Sequence, residues 1–457
     1  MCQAVGLFSQ SLRWRNVMIS RVAIAVLVSW SCAHLINADD WPQWGGPHRD
    51  LVWRESGLVT TLPKGTLPRV WSTPIGEGYA GPAVSGGKVY VTDRIHGEGA
   101  DGTERVLCLD AETGEILWMH EYECQYTVSY PAGPRATPVI DEGRVYTIGA
   151  VGHLFCLDAE TGDVIWQKHF PTDFGTKLPA WGMAASPLVD GDQLITLVGG
   201  PDALVVSMNK QTGAELWRAL DDGDVGYCPP VMFDFGGPRQ LIQWHPTAIS
   251  SLDPATGQVN WEVPFAVQAG LTISTPRQHE DRLFVTAFYN GPMMLKVNPD
   301  ASGAEVLWKG KSESEVDTDG LHSIMSTPIF DGTHIYGVCS YGQLRCLDST
   351  SGERRWETFQ ATGEGRWWNA FLIPYEPNDE NPEAGHRVFL HNEQGELIIA
   401  RLSPEGYEEQ SRSLLIEPTR PLQRRRVIVW SHPAFANKSV YARNDKEIVR
   451  VSLAAGR

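Results

Sequence analysis

Short apolar runs alternate with Gly- and Asp-rich turns along most of the chain. Residues 137–140, 144–148, 154–157 and 164–168 are mostly apolar, and 141–143, 149–152 and 158–162 are turn-rich. Strands this short between such turns predict a four-stranded antiparallel meander. One sheet of four short strands cannot bury both of its faces, so several must stack.

The last turn of the meander carries a motif that recurs. Cys108-Leu-Asp110-Ala-Glu-Thr113-Gly114-Glu-Ile-Leu-Trp118 returns as Cys156-Leu-Asp158-Ala-Glu-Thr161-Gly162-Asp-Val-Ile-Trp166. Weaker copies end at Trp217, Trp261, Trp308 and Trp356, the copy before Trp308 having one extra residue. Counting Trp71 as well, successive tryptophans are 44 to 51 residues apart. The Asp carboxylate suits the backbone N–H groups of its turn, Gly supplies the positive φ, and the Trp offers a flat face to the next sheet. Radial stacking of four-stranded units of this length predicts a β-propeller.

Beyond Trp356 the next outer strand is expected to hold Leu414-Leu-Ile416, delayed by a polar insertion at 374–387. Residues 433–435, 438–442 and 448–453 then supply only three strands. Residues 69–73, around Trp71, are a fourth strand without partners nearby in sequence. Joining the two gives an all-β, eight-bladed propeller closed by N- and C-terminal strands in one blade, with no exposed sheet edge at the seam.

Residues 1–38 read as an export leader. Arg21 precedes an apolar run at 22–36, and Ile36-Asn37-Ala38 suits cleavage; Met18 is a plausible true start. The poor lipobox before Cys32 ranks soluble export, to the periplasm or beyond the cell, above a lipid anchor. Residues 39–66 form an extension, with Trp41 and Trp44 expected to anchor it across the propeller's side. Residues 67–457 form the propeller. The net charge of −17 argues against a nucleic-acid partner. Cys108, Cys156 and Cys346 sit at one repeat position, too far apart on stacked sheets for disulfides, and are expected to be small core residues. No zinc-type spacing occurs, and no metal is assigned.

The Asp-x-x-Thr-Gly-x-x-x-Trp repeat resembles the tryptophan-docking motif of quinoprotein alcohol dehydrogenases and the repeats of the outer-membrane assembly factor B family, a non-enzymatic scaffold. Trp41-Pro-Gln-Trp-Gly-Gly-Pro47, 401–407 and 430–436 are similar to segments of bacterial secreted proteins carrying this propeller. The dehydrogenase resemblance would imply pyrroloquinoline quinone on calcium, an adjacent-cysteine disulfide and Glu, Asn and Asp ligands. The chain has no Cys-Cys pair, and no ligand set can be matched. The resemblance therefore favours a non-catalytic binding or assembly propeller, with a quinone- and calcium-dependent dehydrogenase of atypical form as the alternative.

In propellers the loops before the inner strands form one mouth of the central channel. The residue three before each inner-strand Pro, or its equivalent, is Tyr79, Arg135, Ala184, Tyr227, Ile273, Met325, Trp367 and Trp430. Trp181, His322, Trp368, Asn369 and His432 lie close in sequence. These residues either form an aromatic mouth for a glycan, another small molecule or a protein, or plug the ring and pack blade to blade. His322 and His432 are candidate ligands or structural histidines, and no triad can be assigned to them. Arg420, Arg424, Arg425 and Arg426 form either a docking site for an acidic partner or a solvated loop. A membrane-associated complex stays open, and the propeller is read as a monomer.

Overall fold

The structure, a computed structural model, describes residues 40–376, 387–422 and 426–456. The leader, Cys32, Arg424 and Arg425 lie outside the described residues. Eight four-stranded antiparallel sheets follow one another along the chain. Blades 1 to 7 cover residues 83–123, 139–169, 188–219, 231–264, 277–309, 329–358 and 370–414. Blade 8 joins Ala434–Ala436, Ser439–Arg443 and Glu447–Ser452 to Arg69–Pro74. Ser72 pairs with Val449 and Thr73 with Ile448, so the chain ends meet in one sheet. The only α-helix among the described residues is Phe170–Phe174.

The motif's chemistry explains both turn and docking. The Asp110 carboxylate accepts the N–H groups of Glu112 and Thr113 at 2.9 and 2.8 Å. Gly114 follows at φ +75°. A Cβ there would sit 2.6 Å from the indole of Trp71 in blade 8. The glycine is therefore required twice, for its backbone angle and for the ring that lies on it. The Trp71 indole N–H donates to the Ala111 carbonyl at 2.9 Å, and Trp118 docks likewise on Gly162 and Ala159. Trp166, Trp217, Trp308 and Trp356 repeat the indole bond to the next blade. Trp261 meets the turn with the extra residue. Its N–H donates to Gln240, whose amide donates on to the Asn298 carbonyl, so a side chain bridges the altered turn.

A β-bulge precedes every docking tryptophan, as between Ile116 and Trp118 opposite Leu109 and Cys108. The extra residue, Leu117, turns outward and is exposed, and Trp118 turns in and is buried. Cys108, Cys156 and Cys346 are free and wholly buried. The blade 7 outer strand is Gly406–Leu414, so of the Leu414-Leu-Ile416 expected within it only Leu414 belongs. Leu415 and Ile416 are buried but lie beyond it, their N–H groups turned to the Gly395 carbonyl. Apolar character alone marked them, and here it reports core packing outside a strand.

The extension also departs from expectation. It does not keep to the propeller's side. Trp41 bridges to Val84 in the blade 1 inner strand, and the Pro42 carbonyl accepts Ile140 N–H in blade 2. Arg49 donates to the carbonyls of Pro187 and Pro230, just before the inner strands of blades 3 and 4. Arg277 of blade 5 donates to Asp50, and Trp53 N–H to Pro374 of blade 7. Residues 41–53 thus form a strap across the inner strands, which closes one end of the channel. Trp41 and Trp53 are buried against Phe435 and hold it there.

Candidate functional site: an aromatic cup on the axis

The loops before the inner strands converge on one cavity of about 320 Å³, within the range of small-molecule sites, ~300–1,000 Å³. Tyr79, Arg135, Ala184, Tyr227, Ile273, Met325, Trp367 and Trp430 all line it. A second tier two residues further along each loop includes Gly81, Thr137, Ser186, Thr275, Thr327 and His432. Hydrogen bonds tie this tier from blade to blade: Thr137 N–H donates to Ser186 Oγ at 3.0 Å, and Thr275 N–H to Thr327 Oγ1 at 3.3 Å. Trp44, contributed by the strap, lies in the wall 6.4 Å from His432. Tyr130, Phe288 and Tyr289 also line the cup, residues that counting back from the inner strands could not reach.

The rings are set by specific partners. Trp181 meets Tyr227 edge-on at 5.8 Å. Tyr79 lies between two guanidiniums, Arg135 at 5.2 Å and Arg420 at 5.0 Å, the geometry of cation–π contacts. Trp430 donates its indole N–H to Glu393 at 3.0 Å. Trp367 takes a left-handed backbone, φ 67°, unusual for a bulky residue. That twist turns Trp367 into the cup and Trp368 behind it, onto Gly342 and Gly363.

Three candidates fall outside the wall. Besides Trp368, Asn369 is buried and accepts Glu393 N–H on its carbonyl. His322 is wholly buried, with Nδ1 on the Phe288 carbonyl and Nε2 facing Asp319 at 3.5 Å. It packs Gly291 of blade 5, whose Cβ would come within 2.8 Å. The described members of the basic run are engaged within the protein. Arg420 pairs with Glu77 and Asp445, and Arg426 with Glu393.

The cup is aromatic and nearly uncharged. Among the described residues no carboxylate lines it. Arg135, the cation among the described lining residues, donates to the carbonyls of Gly133, Ser129 and Tyr130 and so serves its own loop. Burial pushes His432 down to about 4. Its Nδ1 faces the Pro433 carbonyl, which leaves Nε2 a buried acceptor without a partner. The hydroxyls of Tyr79 and Thr275 are also unpartnered.

A second constellation lies in blade 4. His245 joins Asp222 at 2.7 Å and Ser250 at 2.9 Å. The order is that of a hydrolytic triad, but Ser250 is wholly buried and also bonded to Glu262. No substrate can reach it, so the chain of bonds is structural.

Burial pushes Glu393 up to about 7, against an ordinary 4.5. A raised carboxyl binds its proton more tightly in the folded protein. Its contribution to stability is full below about 4.5 and lost as pH rises through 7. Tryptophan fluorescence is expected to titrate near 7 through Trp430, and Glu393→Gln to abolish the step. A step of equal size in that variant contradicts the assignment.

Fold and cup together define a tryptophan-docked, eight-bladed propeller with a ligand-sized cavity on its axis. Residues 51–131 and 104–358 match the family described as outer membrane protein assembly factor BamB. The chain belongs to that family. No curated protein matches the sequence. Among solved structures, BamB from Moraxella catarrhalis is similar, with 16% identity over 86% of this chain and 99% of that one, TM-score 0.55. Quinohemoprotein alcohol dehydrogenase from Comamonas testosteroni shares 14% identity over 92% of this chain and 81% of that one, TM-score 0.57. The designed protein Ika8 shares 12% over 83% and 97%, TM-score 0.52. At these identities the structural likeness concerns the fold alone.

Proposed function

We propose that this protein is a non-catalytic binding propeller that acts outside the cytoplasm and takes its ligand in the aromatic cup. One observation carries the reading: among the described residues the cup wall offers ten aromatic rings and unpartnered hydrogen-bonding atoms, but no acid–base pair. Such a wall can stack and orient a ligand, and His432 stands in it with no carboxylate among the described lining residues to complete an acid–base pair. Family membership and the leader pattern at 1–38 support action beyond the cytoplasm. No helix among the described residues is long and apolar enough to cross a membrane.

The wall does not fit a quinone held on calcium. Calcium needs several converging oxygen ligands, and the described lining residues include no carboxylate. The test mixes purified protein with pyrroloquinoline quinone, calcium, alcohols and a dye acceptor. No spectral change and no dye reduction are expected, and turnover would overturn the reading. Glycan and peptide arrays probe the binding arm. A ligand found there should bind about 10-fold more weakly to Trp367→Ala, in line with an aromatic contact of ~1.5 kcal/mol. Unchanged affinity in both Trp367→Ala and Trp430→Ala removes the cup as the site.

A further inference from the structure

Behind the cup, at the seam of blades 1 and 2, three unlike donors meet. Glu104 comes from Gly102–Asp110, Cys124 follows Ile116–Glu123, and His153 opens His153–Asp158 of the next blade. One ligand atom from each lies within 4.8 Å of the others.

The surroundings make this an uneasy place for bare side chains. Glu104 is wholly buried; the charge of Arg135 acts on it, but the two form no ion pair. A buried carboxylate without a paired counter-charge is costly. The hydroxyls of Tyr122 and Tyr126 and the N–H of Ala150 donate to it, which orients it but supplies no net charge. Nδ1 of His153 is buried and has no hydrogen-bond partner. The ring stacks on His169 at 4.4 Å. Cys124 is buried as a free thiol.

We propose that Glu104, Cys124 and His153 form a binding site for zinc, or a divalent ion of similar softness. Thiolate, imidazole and carboxylate are the donors zinc takes, and three protein ligands leave a fourth tetrahedral position. On binding, the Cys124 S–H bond breaks, a sulfur–metal bond forms and one proton passes to solvent. The ion supplies the paired charge that Glu104 lacks. It also fastens the start of the loop that runs through Tyr126 to Tyr130 and Arg135, both of which line the cup. The site stands on different residues from the proposed ligand cup, so the two can fail separately.

The full chain, stripped with chelator, is titrated with Co²⁺ as a spectroscopic stand-in for Zn²⁺. Stoichiometric uptake, a thiolate-to-metal charge-transfer band, proton release and displacement by Zn²⁺ are expected. Cys124→Ser should lose the band, and Cys108→Ser, which alters a buried thiol outside the cluster, should keep it. Tyr126→Phe removes a bond that orients Glu104 and should weaken binding about 10-fold. No band in the folded wild-type chain, or one that survives Cys124→Ser, overturns the proposal, and the wild-type titration decides even where a variant fails to fold.

Discussion

Removing residues 447–457 abolishes cooperative unfolding of the whole propeller. The cut deletes Glu447–Ser452, which lies between Ser439–Arg443 and Arg69–Pro74. It takes away the buried Ile448, Val449 and Val451 and leaves Arg69–Pro74 without a sheet. It also removes Glu447, which accepts both terminal nitrogens of Arg69. An open ring exposes sheet edges and the faces of blades 1 and 7 to water. Thermal melting and limited proteolysis provide the check. A single sharp melt at the wild-type temperature in the shortened chain contradicts closure as the source of stability.

The second large effect concerns the glycine beneath a docked indole. Gly162→Ala places a methyl group 2.6 Å from the Trp118 ring at a backbone φ of +77°. Overpacking and the left-handed angle together cost about 3 kcal/mol. Trp118→Ala removes a buried ring and its hydrogen bond to Ala159, for about 3–5 kcal/mol. The double variant is expected to lose clearly less than the two losses added, because without the ring the methyl meets open space and only the backbone term remains. Urea unfolding of the wild type, the two single variants and the double variant tests this. Strict additivity refutes a shared contact.

The ring, its seam and its docking residues were legible in the chain because each is written locally and repeated. Asp, Gly and Trp recur within nine residues, and the same turn chemistry makes each of them necessary. The cup was legible for a related reason. Equivalent loops place equivalent residues on the axis, so counting back from inner-strand prolines found Tyr79 through Trp430. What escaped lacks repetition. Nothing near Trp44 or Arg49 signals contact with Pro187 or Pro230, well over a hundred residues away, so the strap's course could not be read. Trp368 and Asn369 sit beside a cup residue in sequence, but the left-handed turn at Trp367 sends them elsewhere. Glu104, Cys124 and His153 meet across a blade boundary at intervals that match no metal motif, and His245 meets Asp222 only through folding.

The strap also limits what the cup can hold. A bore stopped at its inner end has a single doorway, through which a guest must arrive and depart. A long polymer cannot be threaded along the axis or slide past it. It can present only a terminus or a protruding side group, so the length of the guest beyond that point should leave its affinity unchanged.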